Sequence, residues 1–305
     1  MMFAEQVAGT GGYTAPVTEQ TEENETKDLK LMGEDVTVIV GDDRGKLVSD
    51  VTFSADAVVA VDDDENELFY AKNVHKQIFP ASLTKLMTAY VVFDKIEDLE
   101  QEFRVPQEAT ELPDPYAKIC GLNEGDVLTI RQLLNATLVT SANDAAKALS
   151  IAVSGSEEAF VKLMNEEAVK IGATHSHFMN CHGLHDDNHY TTLYDLYLIF
   201  HEMLKNDEFR SIISQSSYSW EYTNIHGNQV ENTVSSTNLY RTGSKQVPDG
   251  FTVIGGKTGT TNEAGSCMLC SFEGTDHHTY ILGIMHAEDR DDLYNQFADL
   301  FTGLR

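Results

Sequence analysis

The stretch 79-FPASLTKLMTAYVVF-93 sets Leu83, Leu86, Met87, Tyr90 and Val91 near helical spacing, the pattern of one buried apolar face. Ser82 and Lys85 sit in the first turn of that pattern, three residues apart. Residues i and i+3 share a helix face, so the lysine amine is expected to lie against the serine hydroxyl. The bland alternative is that Ser82 caps the helix and Lys85 lays its stem along apolar surface.

Moving outward, the stretch 56-DAVVAVDDDENELFYAKN-73 reads as two strands joined by an acidic turn. A mostly helical middle follows the Ser82 helix. The segment 128-LTIRQLLNATLVTSANDAAKALSIAV-153 has helical spacing interrupted at Thr-Ser-Ala-Asn-Asp. The segment 156-SEEAFVKLMNEEAVKIG-172 opens on Ser and Glu and stops at Gly172, as a capped helix does. A third helix is predicted over 191-TTLYDLYLIFHEMLKND-207, then a hairpin over 218-YSWEYTNIHGNQVEN-232 turning at His226-Gly227-Asn228. Strands over 251-FTVIGGKTGTT-261, around Cys267–Cys270 and over 280-YILGIMHA-287 precede a last helix, 289-DRDDLYNQFADLFTGL-304. Strands open the domain, helices fill the middle and strands close it. The simplest arrangement pairs the first and last strands in one antiparallel sheet, giving an α+β fold with a mostly helical subdomain inserted. Residues from about Gly9 to Asp35 are Gly-, Thr- and Glu-rich with few apolar side chains, so residues 1–49 are expected to form an acidic tail and lead-in to a domain over 50–305.

The net charge is −28, from 21 basic and 49 acidic residues. Such a surface repels nucleic acid and anionic lipid, so neither is an expected partner. No apolar run approaches the roughly 18–20 residues that span a bilayer, and the opening MMFAEQVAGTGGYT has no basic-then-apolar leader pattern. Of the four cysteines, Cys267 and Cys270 form a C-x-x-C. On a strand, three residues span roughly 10 Å and point the two side chains to opposite faces, beyond disulfide reach. Buried strand thiols are therefore expected for this pair, although the four cysteines, with Cys120 and Cys181, could in principle pair in three ways.

Three short motifs recur in order: Ser82-Leu-Thr-Lys85, Ser141-Ala-Asn143 and Lys257-Thr258-Gly259. Each alone is weak. Together they place a serine at a helix start, a Ser/Asn pair between helices and a lysine in a strand. A serine hydroxyl needs a neighbour to take its proton. Lys85 serves only if its amine is partly neutral, which burial and nearby cations such as Lys257 would favour. Ser141 is read as a proton relay and Asn143 as the group that orients Lys85 and bonds a substrate amide. Lys257 and Thr258 would bind a substrate carboxylate. Gly259 would let a substrate backbone run close, and the N–H groups of Ser82 and Thr260 would form an oxyanion hole.

The motif set S-x-x-K, S-D-N and K-T-G is that of class A β-lactamases and penicillin-binding proteins, with Ala142 here in place of Asp. The stretches FPASLTKLMTAYV, LNEGDVLTIRQLLNATLVTSANDAAKAL, HFMNCHGLHDDNHYTT and GGKTGTTNEAGSCM resemble the low-molecular-mass penicillin-binding proteins of the D-alanyl-D-alanine carboxypeptidase family, over roughly Asp56 to Leu304. That resemblance implies an exported serine peptidase, without cofactor or metal, that removes the terminal D-alanine from peptidoglycan stem pentapeptides through an acyl-enzyme. β-Lactams would trap the same serine. It also implies catalytic roles for Ser82, Lys85, Ser141 and Asn143, and substrate binding by Lys257, Thr258, Gly259 and Thr260. Two departures stand out. Thr260 follows the K-T-G where many relatives have His, and the chain stops at Arg305 where many relatives carry a β-rich domain and a membrane-binding helix. The segment 174-THSHFMNCHGLHDDNHY-190 holds His175, His177, Cys181, His182, His185 and His189, a set that suggests metal. Gly183 and Asp186-Asp187-Asn188 favour a loop instead, and the family has a similar loop without a required metal.

Rival readings remain on the sequence. A class A β-lactamase adds a deacylating Glu in an E-x-x-x-N loop, and the match between the later motifs, Glu202 to Asn206, falls on an amphipathic helix. D,D-transpeptidase or endopeptidase action, and a non-catalytic β-lactam sensor, stay open.

Overall fold

The computed structural model describes residues 36–42, 45 and 51–304. The acidic stretch Gly9–Asp35 lies outside them. Among the described residues the chain order is β1 (Ala57–Asp62), β2 (Glu67–Lys72), a 3-10 turn (Ala81–Leu83), α1 (Thr84–Lys95), β3 (Glu102–Arg104), α2 (Gln107–Thr110), β4 (Val127–Thr129), α3 (Ile130–Val139), α4 (Asn143–Ser154), α5 (Glu157–Lys170), α6 (Leu193–Leu204), α7 (Asp207–Ile213), β5 (Ser217–Thr223), β6 (Gln229–Ser235), α8 (Leu239–Thr242), β7 (Phe251–Thr261), β8 (Gly265–Gly274), β9 (Thr279–Ala287) and α9 (Arg290–Gly303).

The first and last strands share one antiparallel sheet in the order β2-β1-β9-β8-β7. Register locks the chain ends together, with Ala57 opposite Met285 and Asp62 opposite Tyr280. Every residue of β1 is buried, because helices cover both faces of the sheet and the strand reads as a continuous apolar run. Alternation sorts the side chains: Val59, Val61, Leu269, Ile281 and Met285 join the core under α1 and α6. Val58, Ala60, Met268, Phe272, Leu282 and Ile284 meet Leu293, Phe297, Leu300 and Phe301 of α9 on the other face. Cys267 and Cys270 fall in opposite cores, as the strand period requires, and all four cysteines are free.

The inserted region packs α3, α4 and α5 against α1. It also carries a second antiparallel sheet, β3-β4-β5-β6, beyond the hairpin that sequence pattern indicates. Local chemistry starts its helices: Thr129 and Gln132 form a reciprocal capping box, and the Ser156 and Thr192 side chains accept from Ala159 N and Asp195 N. Ahead of β1, Ile39 is buried, Thr37 N donates to Tyr197 Oη at 3.1 Å and the Ile39 carbonyl lies 2.6 Å from His75 Nε2. That piece of the lead-in thus packs on α6.

Candidate active site

Ser82 sits in the 3-10 turn that feeds α1, one residue before the Leu83 cap position. The turn is held in an unfavourable shape: Ala81 has φ +47°, a left-handed conformation that costs a residue with a Cβ roughly 1–2 kcal/mol. Two devices hold it. Thr84 Oγ1 donates to the Ala81 carbonyl at 2.8 Å, and His189 Nε2 lies 2.8 Å from the same Thr84 oxygen. Met179 N donates to His189 Nδ1 at 3.2 Å, so Nε2 carries the proton and donates to Thr84. Gly183 closes on the other side, where a Cβ would stand 1.9 Å from the Ala81 oxygen.

Lys85 is fully buried and its Nζ has three partners: Asn143 Oδ1 at 2.6 Å, the His182 carbonyl at 2.5 Å and Ser82 Oγ at 3.1 Å. Two of these can only accept, so they fix two amine hydrogens. The remaining tetrahedral direction points at Ser82, where a neutral amine presents its lone pair. Burial brings the Lys85 pKa down to about 7, opposed by Cys181 and Asp144 and assisted by Lys118. Lys118 is the assisting cation on Lys85, and the repulsion with Lys257 that sequence reasoning named falls on Lys257, which Lys85 pushes down.

Ser141 and Asn143 occupy the break between α3 and α4. Ser141 is buried with φ +68°, and its Oγ accepts from Lys257 Nζ at 2.8 Å. Its hydrogen bond runs to the second lysine, where a relay beside Lys85 was expected. Asp144, next in sequence, has its carboxylate engaged by the N–H groups of Cys120, Gly121 and Leu122 at 2.9–3.0 Å. Asn143 N in turn donates to the Lys118 carbonyl at 2.8 Å, so α4 and segment 118–122 form one wall.

The opposite wall is β7, an edge strand. Lys257 is buried, donates also to the Thr258 carbonyl at 2.7 Å, and has its pKa pushed well down by burial first, then by Lys85 and Lys118. Thr258 Oγ1 donates to Thr237 Oγ1 at 2.6 Å, and Thr260 Oγ1 to the Gly259 carbonyl at 2.8 Å. A Cβ on Gly259 would lie 2.9 Å from Ser82 N and 3.1 Å from Ala81 Cβ, so only glycine lets this strand approach the serine turn so closely. Thr258 and Thr260 also line a cavity of about 20 Å³ with Thr237 and Arg290, the first residue of α9.

All eight residues named from sequence therefore gather at one cleft between two walls. Sequence reasoning missed Thr84, His182, His189, Thr237, Arg290 and Lys118. The histidine segment meets the site through the His182 carbonyl and the His189–Thr84 chain. Burial keeps both His182 and His189 low, His189 at about 4. Among the described residues no group of three or more His, Cys, Asp or Glu is arranged to hold a metal ion, and no helix is long and apolar enough to cross a membrane. Glu202 lies in the last turn of α6, paired with Lys205, and Asn206 caps α7.

Comparison with known proteins matches residues 44–288 to a family profile described as D-alanyl-D-alanine carboxypeptidase. The chain is 30% identical over 231 residues to a D-alanyl-D-alanine carboxypeptidase of Bacillus subtilis, covering 74% of this chain and 56% of that protein. It is 32% identical over 170 residues to one of Escherichia coli, covering 53% and 44%. The chain thus spans about half the length of these curated relatives. A crystal structure of a Streptomyces DD-transpeptidase superposes with TM-score 0.75 at 24% identity, over 84% of this chain and 98% of that one, a likeness of fold.

Proposed function

The chain belongs to the D-alanyl-D-alanine carboxypeptidase family, and from that membership we propose that it removes the terminal D-alanine of peptidoglycan stem pentapeptides through an acyl-enzyme on Ser82. The observation that carries this reading is the buried Lys85 amine 3.1 Å from the Ser82 hydroxyl, with its pKa near 7. Ser82 Oγ adds to the carbonyl of the penultimate D-alanine as its proton passes to Lys85. The amide C–N bond then breaks and the proton goes from Lys85 to the leaving amine, with Ser141 and the Lys257 amine bonded to it as the proposed relay. Water repeats the sequence to release the shortened peptide, with Lys85 again taking the proton. The Ser82 and Thr260 N–H groups hold the oxyanion, a role that Gly259's close approach to Ser82 supports.

Lys257 and Thr258 receive the substrate's terminal carboxylate. In the free protein the Lys257 charge is disfavoured by burial and by its neighbours. An entering carboxylate reverses that balance, so binding and protonation of Lys257 go together. The substrate strand lies along the free edge of β7, and β-lactams acylate Ser82 as covalent inhibitors. The domain is taken as residues 50–305, with 1–49 as tail and lead-in, working outside the cytoplasmic membrane where such a substrate occurs. The same site would act on a cross-linked peptide if one reaches it.

Release of D-alanine from diacetyl-Lys-D-Ala-D-Ala by the protein, and its loss in Ser82→Ala, is the expected outcome. Release by both, or by neither, would overturn the assignment.

A further inference from the structure

Lys118, like Arg290, is a basic residue at this cleft that no motif explains. It lies in segment 118–122, which is held as tightly as a strand: the Lys118 carbonyl accepts from Asn143 N, three following N–H groups are bound by Asp144, and the Cys120 carbonyl accepts from Asn232 Nδ2 at 2.9 Å. Its side chain is exposed. In a chain with 49 acidic residues, the Lys118 ammonium has no carboxylate within ion-pair distance among the described residues; Asp114, on its own segment, is used at 2.8 Å by Tyr116 N. Its neighbours are cations instead. Burial is the main cause that lowers Lys85, Lys257 and Lys118, with Lys118 adding to the first two and Arg290 across the cleft adding to Lys118.

We propose that Lys118 binds the carboxylate of the leaving residue from the α4 wall, opposite Lys257, Thr258 and Arg290, so that the cleft closes on this anion from both sides. This rests on the reading of the site given above. Lys118 and Arg290 stand near each other without a counterion among the described residues, beside a Lys257 whose charge is disfavoured, and one anion among them relieves these repulsions together. The arrangement selects substrates that end in a free carboxylate beside the scissile bond.

The test is a cycle between the residue and the ligand's anion. Acylation of the protein and of Lys118→Ala, Lys118→Gln and Lys118→Arg is timed with benzylpenicillin and with its methyl ester, which lacks the carboxylate. Removing one charged hydrogen bond is expected to slow acylation by the free acid about tenfold in the Ala and Gln variants, leave the ester rate near that of the parent, and be rescued in Lys118→Arg. If Lys118 only tunes Lys85, its loss changes both ligands in the same proportion and shifts the pH profile, and that result overturns the proposal. A parent that neither ligand acylates would overturn both this proposal and the role of Ser82. A parent that is acylated, with an acid-to-ester ratio unchanged by substitution, overturns Lys118 alone.

Discussion

At the residue scale the controlling fact is the geometry around one amine. Because the Asn143 and His182 oxygens fix two of the Lys85 hydrogens, on the proposed mechanism the protonation state of Lys85 decides whether Ser82 has a base. A lysine whose pKa lies near 7 is charged below that pH and neutral above it. Acylation of Ser82 by a β-lactam is therefore expected to rise with pH through about 7 and then level off. Asn143→Asp would put a carboxylate where Oδ1 now sits, 2.6 Å from the amine. An opposite charge at that range favours the ammonium and raises the pKa by roughly 1–3 units, so the rising limb should move to higher pH. A limb that stays in place would show that some other group sets it. Replacing Lys85 by Met removes the base, and a loss of about 10²–10⁴ in acylation rate is expected.

At the scale of elements, the serine turn is clamped between β7 and the loop after α5. Gly183 has φ +86° and no room for a Cβ beside the Ala81 oxygen. Gly183→Ala should thus cost on the order of 3 kcal/mol, read as a lower denaturation midpoint, and should slow acylation as the Ala81 turn shifts. The same elements show what could be read in advance. Periodic segments such as β1, α5, α6 and α9 announce themselves by spacing and caps, and the three motifs bring their own residues to the cleft. Strands β3 and β4 have three residues each, too short for a period of two to stand out, so the second sheet was not legible. The part played by His182 is carried by its backbone carbonyl, which has no side-chain signature. Lys118 and Arg290 act through distances set by the whole fold, and nothing in PYAKIC or EDRDD marks them as cleft residues.

At the scale of the molecule, α9 does two jobs: its apolar side seals one face of the central sheet, and its first residue, Arg290, borders the cleft. Leu293, Phe297, Leu300 and Phe301 are all buried there, each contributing roughly 1.5–3 kcal/mol. A chain ending before Asp289 is expected to lose cooperative thermal unfolding and bind a hydrophobic dye; a sharp melt within a few degrees of the parent would contradict that account. The sheet also ends on β7, the edge strand that carries Lys257, Thr258 and Gly259. A strand edge is ordinarily a hazard, because its uncommitted N–H and C=O groups invite any extended chain to dock. On the proposed reading that hazard is the recognition device, and the walls on either side decide which chain is admitted. Specificity on the proposed reading is then gatekeeping of an adhesive surface, and an inhibitor that forms an extra rung on this ladder should outlast one that only occupies the serine.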